Sequence, residues 1–90
     1  MNEQAYERKV EVLEQRSDNQ LLEIALSATE AYSTPESSAD EVVDQVKDAV
    51  EVWLFGSPDW EGVKATDISD IALDYANRAW SQTRTWKEEA

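Results

Sequence analysis

Apolar residues recur along this chain at spacings of three and four, and alternation at every second position is nowhere sustained. That period belongs to helices that bury one stripe and leave the rest in water. Tyr6, Val10 and Leu13 form the first such stripe and predict a helix over about residues 2–16. Glu3, Glu7, Glu11 and Glu14 fall on a second, acidic stripe roughly a right angle away. The stretch RSDNQ then interrupts the pattern. Ser17 or Asp18 can accept a hydrogen bond from the next turn, so a new helix, or a kinked continuation, is expected from about Asn19. Leu21, Ile24, Ala25, Ala28 and Tyr32 make its inward face, with Leu22 and Leu26 broadening it.

The clearest loop is STPESS, residues 33–38, where Pro35 disfavours helix for Thr34. Ser38 and Glu41 match a capping box, so a helix is expected from Ala39 to about Phe55. Val42, Val46, Ala49, Val50 and Trp53 line its inner side, with Val43 and Leu54 at the margin. Asp40, Asp44, Asp48 and Glu51 occupy the other side as an acidic ridge. Gly56 suits the left-handed position beyond a helix end, and Ser57 with Pro58 can open one short turn that closes before Gly62. The last helix is expected from Thr66 or Asp67 to about Trp86. Ile68, Ile71, Ala72, Tyr75, Ala79 and Trp86 share one line, widened by Leu73, Ala76 and Trp80, so this helix needs two neighbours. The expected fold is all-α: a small bundle of three to four helices, a single domain over residues 1–90, with a short helical turn before the last helix.

The aromatic stretch AVEVWLFGSPDWEG, residues 49–62, reads first as a helix stop. Trp53 lies on the apolar stripe and is expected in the core. Phe55 points away from it and is either turned inward at Gly56 or exposed. Trp60, between Asp59 and Glu61, either covers the end of the core or stands as an interface anchor, a role in which tryptophan is enriched.

Charge changes this picture more than any motif does. Twenty acids stand against eight bases, a net charge of −12. Residues 1–17 and 62–90 are each close to balance, whereas between Asp18 and Glu61 eleven acids face a single base, Lys47. The central segment is therefore a strong negative source. The chain has no histidine and no cysteine, which removes the commonest general base, the commonest zinc ligand and any thiolate. Its acids fall on outward faces rather than across a cleft. Asp67, Asp70 and Asp74 share a helical side, but without a calcium-loop pattern they read as solvated. Ser57 reads as a cap, and neither a nucleophile elbow nor a phosphate-cradling glycine loop occurs. No catalytic residue, cofactor or metal is expected. The charged N-terminus and the absence of a long apolar run argue for a soluble, cytoplasmic protein without membrane contact.

Direct nucleic-acid binding is disfavoured, although Arg8, Lys9, Arg16, Arg78, Arg84 and Lys87 all lie in the outer helices. The converse fits better. Helical acids three and four apart recur about every 4.5–6 Å, against a phosphate about every 3.4 Å per strand of B-DNA, so aligned ridges can imitate a nucleic-acid field. In size, charge and helicity the chain resembles the small acidic helical inhibitors that phages and mobile elements direct against restriction or CRISPR enzymes. That resemblance involves no motif and assigns no residue a role. The expected function is non-enzymatic binding of a basic surface on another protein, such as a nucleic-acid-binding enzyme, through Asp40, Asp44, Asp48, Glu51, Asp59, Trp60 and Glu61. The alternative is a structural helical module, a homodimer or assembly subunit, whose acids only solvate it.

Overall fold

The computed structural model describes residues 3–34 and 36–89, with side chains described through residue 83. The expectations for Pro35 and for the side chains of Arg84, Trp86 and Lys87 lie outside the described residues. The chain is all-helical: α1 spans Glu3–Tyr32, α2 Ala39–Gly56 and α3 Ala65–Glu89, with a 3-10 turn at Pro58–Trp60 between α2 and α3. Each helix packs against the other two. Thirty residues of α1 run about 45 Å at the helical rise, which accounts for the molecule's extents of 49 × 20 × 18 Å.

Of the two courses open at Ser17 and Asp18, a new helix or a continuation, the chain takes the second, and α1 runs through unbroken. Asp18 accepts a hydrogen bond from the Tyr75 hydroxyl of α3 at 2.5 Å and faces Arg78 at 3.6 Å, so its carboxylate is engaged across the fold instead of capping a new helix. Neither glycine nor proline occurs between residues 3 and 32 to force an interruption. The described residues form three α-helices, within the expected three to four.

The other boundaries follow local chemistry. Ser38 caps α2 by accepting from the Glu41 N–H at 3.3 Å, and its own carbonyl accepts from the Val42 N–H at 3.2 Å. Gly56 corrects the expectation placed on it, since it is the last helical residue of α2 and lacks a positive φ. Gly62, at φ 89°, is the residue that takes the left-handed turn, two positions after Trp60. Pro58 sits at the start of the 3-10 turn, where its missing N–H costs nothing; the Ser57 side chain makes no capping bond there.

Three rows meet in one core. Leu21, Ala25 and Ala28 come from α1, Val42, Val46, Val50 and Leu54 from α2, and Ile68, Ala72, Tyr75, Ala76 and Ala79 from α3. The alanines let α1 and α3 approach closely. Trp60 and Val63 close one end of this core. Of the two roles open to Trp60, the structure shows the first, with the ring 2% exposed at the end of the core and not standing out as an anchor; Trp53, expected in the core, is only partly buried against it. From Val50, the inner row continues four residues on to Leu54, and Trp53 falls to its flank. Tyr32, expected inward, is exposed near the end of α1, and Leu73 is exposed on α3. Thr29 is buried without penalty because its hydroxyl donates to the Ala25 carbonyl at 2.7 Å.

Candidate functional site

The inward row Val42, Val46, Val50 and Leu54 fixes what α2 turns to solvent. Asp40, Asp44 and Asp48 form one i, i+4 row on the outward side, about 6 Å apart along the axis, and all three are exposed. Glu41 is exposed beside Asp44 and adds a fourth carboxylate. Glu51 departs from the expected ridge. It is half-buried and pairs with Lys47 at 3.9 Å, one turn back, so its charge is partly offset at the inner margin of the helix. The ridge is therefore Asp40, Glu41, Asp44 and Asp48.

The 3-10 turn supplies a second, separate acidic element. Asp59 and Glu61 are exposed there, and the Glu61 carbonyl accepts from Lys9 Nζ of α1 at 3.4 Å. The tryptophan between them is buried, so Trp60 offers no surface to a partner; the turn at Pro58 and Gly62 folds its ring onto the core. Its indole Nε1 is buried without a hydrogen-bond partner. Asp40 stands about 24 Å along α2 from Gly56, so the expected contact residues line the length of the helix rather than gather in a pocket.

The acidic row continues into apolar residues. Val52 follows Asp48 on the same i, i+4 row and is 72% exposed; Phe55, seven residues after Asp48 and about 20° from it around the helix, is 60% exposed. Neither was singled out from the sequence as a contact residue. The i, i+4 row running from Asp40 through Asp48 to Val52 is the signal that would have found the first of them.

The only concentration of perturbed titratable groups among the described residues lies between α1 and α3. A shallow hollow of about 390 Å³ is lined by Glu11, Glu14, Gln15, Asp18, Tyr75 and Arg78. Burial, followed by repulsion from Asp74, raises the Glu14 carboxyl above its ordinary pKa. The Tyr75 hydroxyl is raised too, by burial and then by its bond to Asp18. Arg78 joins Asp74 at 2.8 Å and Asp18 at 3.6 Å and stacks over the Tyr75 ring at 4.8 Å. Tyr6 makes a similar link, donating to Asp67 at 2.7 Å and accepting the Lys64 N–H at 2.8 Å. These groups satisfy one another across the seam, which is the arrangement of a structural joint. Asp67 and Asp74 are thereby engaged, which corrects the expectation that they are simply solvated.

Among the described residues no group of three acidic side chains is placed to hold a metal ion, and no helix is long and apolar enough to cross a membrane. Comparison of the chain with protein-family models, with curated proteins and with solved structures finds no match.

Proposed function

We propose that this is a non-enzymatic interaction protein, a small three-helix bundle acting in the cytoplasm, whose α2 outer face binds a basic surface of another protein. The observation that carries this reading is the row Asp40, Asp44 and Asp48: three exposed carboxylates at regular spacing, flanked by Glu41, on a helix whose single base lies at the inner margin beside Glu51. Aligned carboxylates of this kind steer a cationic partner and compete with phosphate for it. The class of partner that fits is a nucleic-acid-binding protein, occluded through its phosphate site. Asp59 and Glu61 extend the negative surface past the end of α2.

The test is displacement. A fluorescent duplex DNA is bound to a lysine-rich peptide, and the protein is titrated in. The native chain should release the DNA, D40N/D44N/D48N should release much less, and E3Q/E7Q/E11Q should behave nearly as the native chain does. The control acids are exposed on α1 but share that helix with Arg8, Lys9 and Arg16. Equal release by all three proteins would leave the ridge as a solvated face.

A further inference from the structure

The outward row of α2 does not end in an acid. Asp40, Asp44, Asp48 and Val52 are successive members of one row, and Phe55 stands one turn beyond Val52 on the same outward side. At 72% and 60%, Val52 and Phe55 are the most exposed large apolar side chains among the described residues. Single apolar residues on a surface need no explanation, but two on adjacent turns, continuous with an acidic row, make a composite face.

We propose that Val52 and Phe55 are the apolar anchor of the α2 binding face, and that the partner is a protein surface on which a line of basic side chains leads into an apolar recess. This rests on the function proposed above and specifies its partner. Charge complementarity selects the occupant. A second copy seated on the same face would bring together two chains each of net charge −12, with no basic row on that face to meet either line of aspartates. Phosphates, whether of nucleic acid or of an anionic membrane, meet the same repulsion. A cationic protein surface gains from the acids, which bring it in from a distance, and from the apolar pair, which holds it once water is expelled.

Two helical peptides of equal length and charge serve as probes, one patterned with lysine and leucine, the other with lysine and glutamine. Affinity is read by fluorescence anisotropy, with thermal unfolding as the check that each variant is folded. The native chain should bind the lysine–leucine peptide about tenfold more tightly than the other, the size of effect that one well-buried anchor supplies. V52S/F55S should bring that ratio to about one while leaving the affinity for the lysine–glutamine peptide unchanged. D44N/D48N should weaken binding of both peptides. A ratio near one for the native chain, or a ratio unchanged in V52S/F55S, overturns the anchor. Loss of binding in D44N/D48N in that case would still support the acidic ridge, whereas native binding by D44N/D48N would contradict the ridge itself. A dimer in sedimentation that V52S/F55S dissociates, with peptide binding unaffected, would assign the pair to a second copy and also overturn the proposal.

Discussion

The Tyr75 hydroxyl donates to Asp18 Oδ1 at 2.5 Å, joining the middle of α1 to the middle of α3 across 57 positions of sequence. The ring of Tyr75 is core and its oxygen is the polar edge of that core. Tyr75→Phe should therefore lower stability by about 1 kcal/mol, as Asp18 loses a donor but keeps Arg78. Because the folded protein raises this hydroxyl above its ordinary 10.0, the stability it contributes is complete below pH 10 and is lost as pH rises beyond. Melting temperatures followed to about pH 11 should fall more steeply for the native chain than for the phenylalanine variant.

Glu14 works in the same sense at the acid end. Its carboxyl is raised above 4.5 in the folded protein, first by burial and then by Asp74, so the folded state favours the protonated form. Stability linked to Glu14 is fully present below pH 4.5 and is lost as pH rises through the raised value. Glu14→Gln should raise the melting temperature at pH 7, with the advantage shrinking toward zero as pH falls below 4.5. An advantage of equal size at acid and neutral pH would point to packing rather than charge.

The two tryptophans of the α2–α3 segment separate by burial. Trp60→Ala should cost about 3–5 kcal/mol, because it empties the end of the core. Trp53→Ala should cost about 1–2 kcal/mol, since Trp53 is only half-buried at the edge of the core and borders an open hollow with Gln20, Glu23, Ile24 and Ser27 of α1. Urea midpoints of the two variants measure the difference directly. Trp60→Phe should recover much of the loss, as it fills space and removes the unpartnered indole N–H.

Within the ridge, position along α2 sets the effect of each charge on folding. Asp40 lies in the first turn, where a carboxylate complements the helix dipole; Asp44 and Asp48 lie beyond it and repel their i, i+4 neighbours. Asp40→Asn should lower stability by about 0.5 kcal/mol. D44N/D48N should leave it unchanged or raise it by a similar amount, so the binding tests can be made on folded protein.

The sequence discloses the helical period, the Ser38 cap and the Pro58 turn because each is decided by residues within one turn of one another. It does not disclose contacts made by the fold. Ser17 and Asp18 carry the chemistry of a helix cap, yet Asp18 finds its partners on α3 and α1 runs through. Trp53 and Leu54 both extend the valine row of α2, by three residues and by four, and only the placement of α1 and α3 decides that Leu54 is inside. Trp60 stands between two acids in a loop, a local pattern of surface residues, and is drawn in by a turn at Gly62. On the ridge, Asp40, Asp44 and Asp48 are readable from spacing alone, as is the i, i+4 pairing of Lys47 with Glu51, whereas the half-burial of Glu51 shows only in the fold.

The salt dependence of binding tests the central claim most directly. Affinity for the lysine–glutamine peptide is measured from about 50 to 300 mM salt, a range over which screening of exposed charges deepens markedly. The native chain should lose affinity steeply as salt rises. D40N/D44N/D48N should bind more weakly at low salt, mainly through a slower on-rate, and show a distinctly shallower slope, with E3Q/E7Q/E11Q staying close to the native line. A folded D40N/D44N/D48N variant with native affinity and native salt slope would contradict the assignment of the α2 outer face as the binding surface.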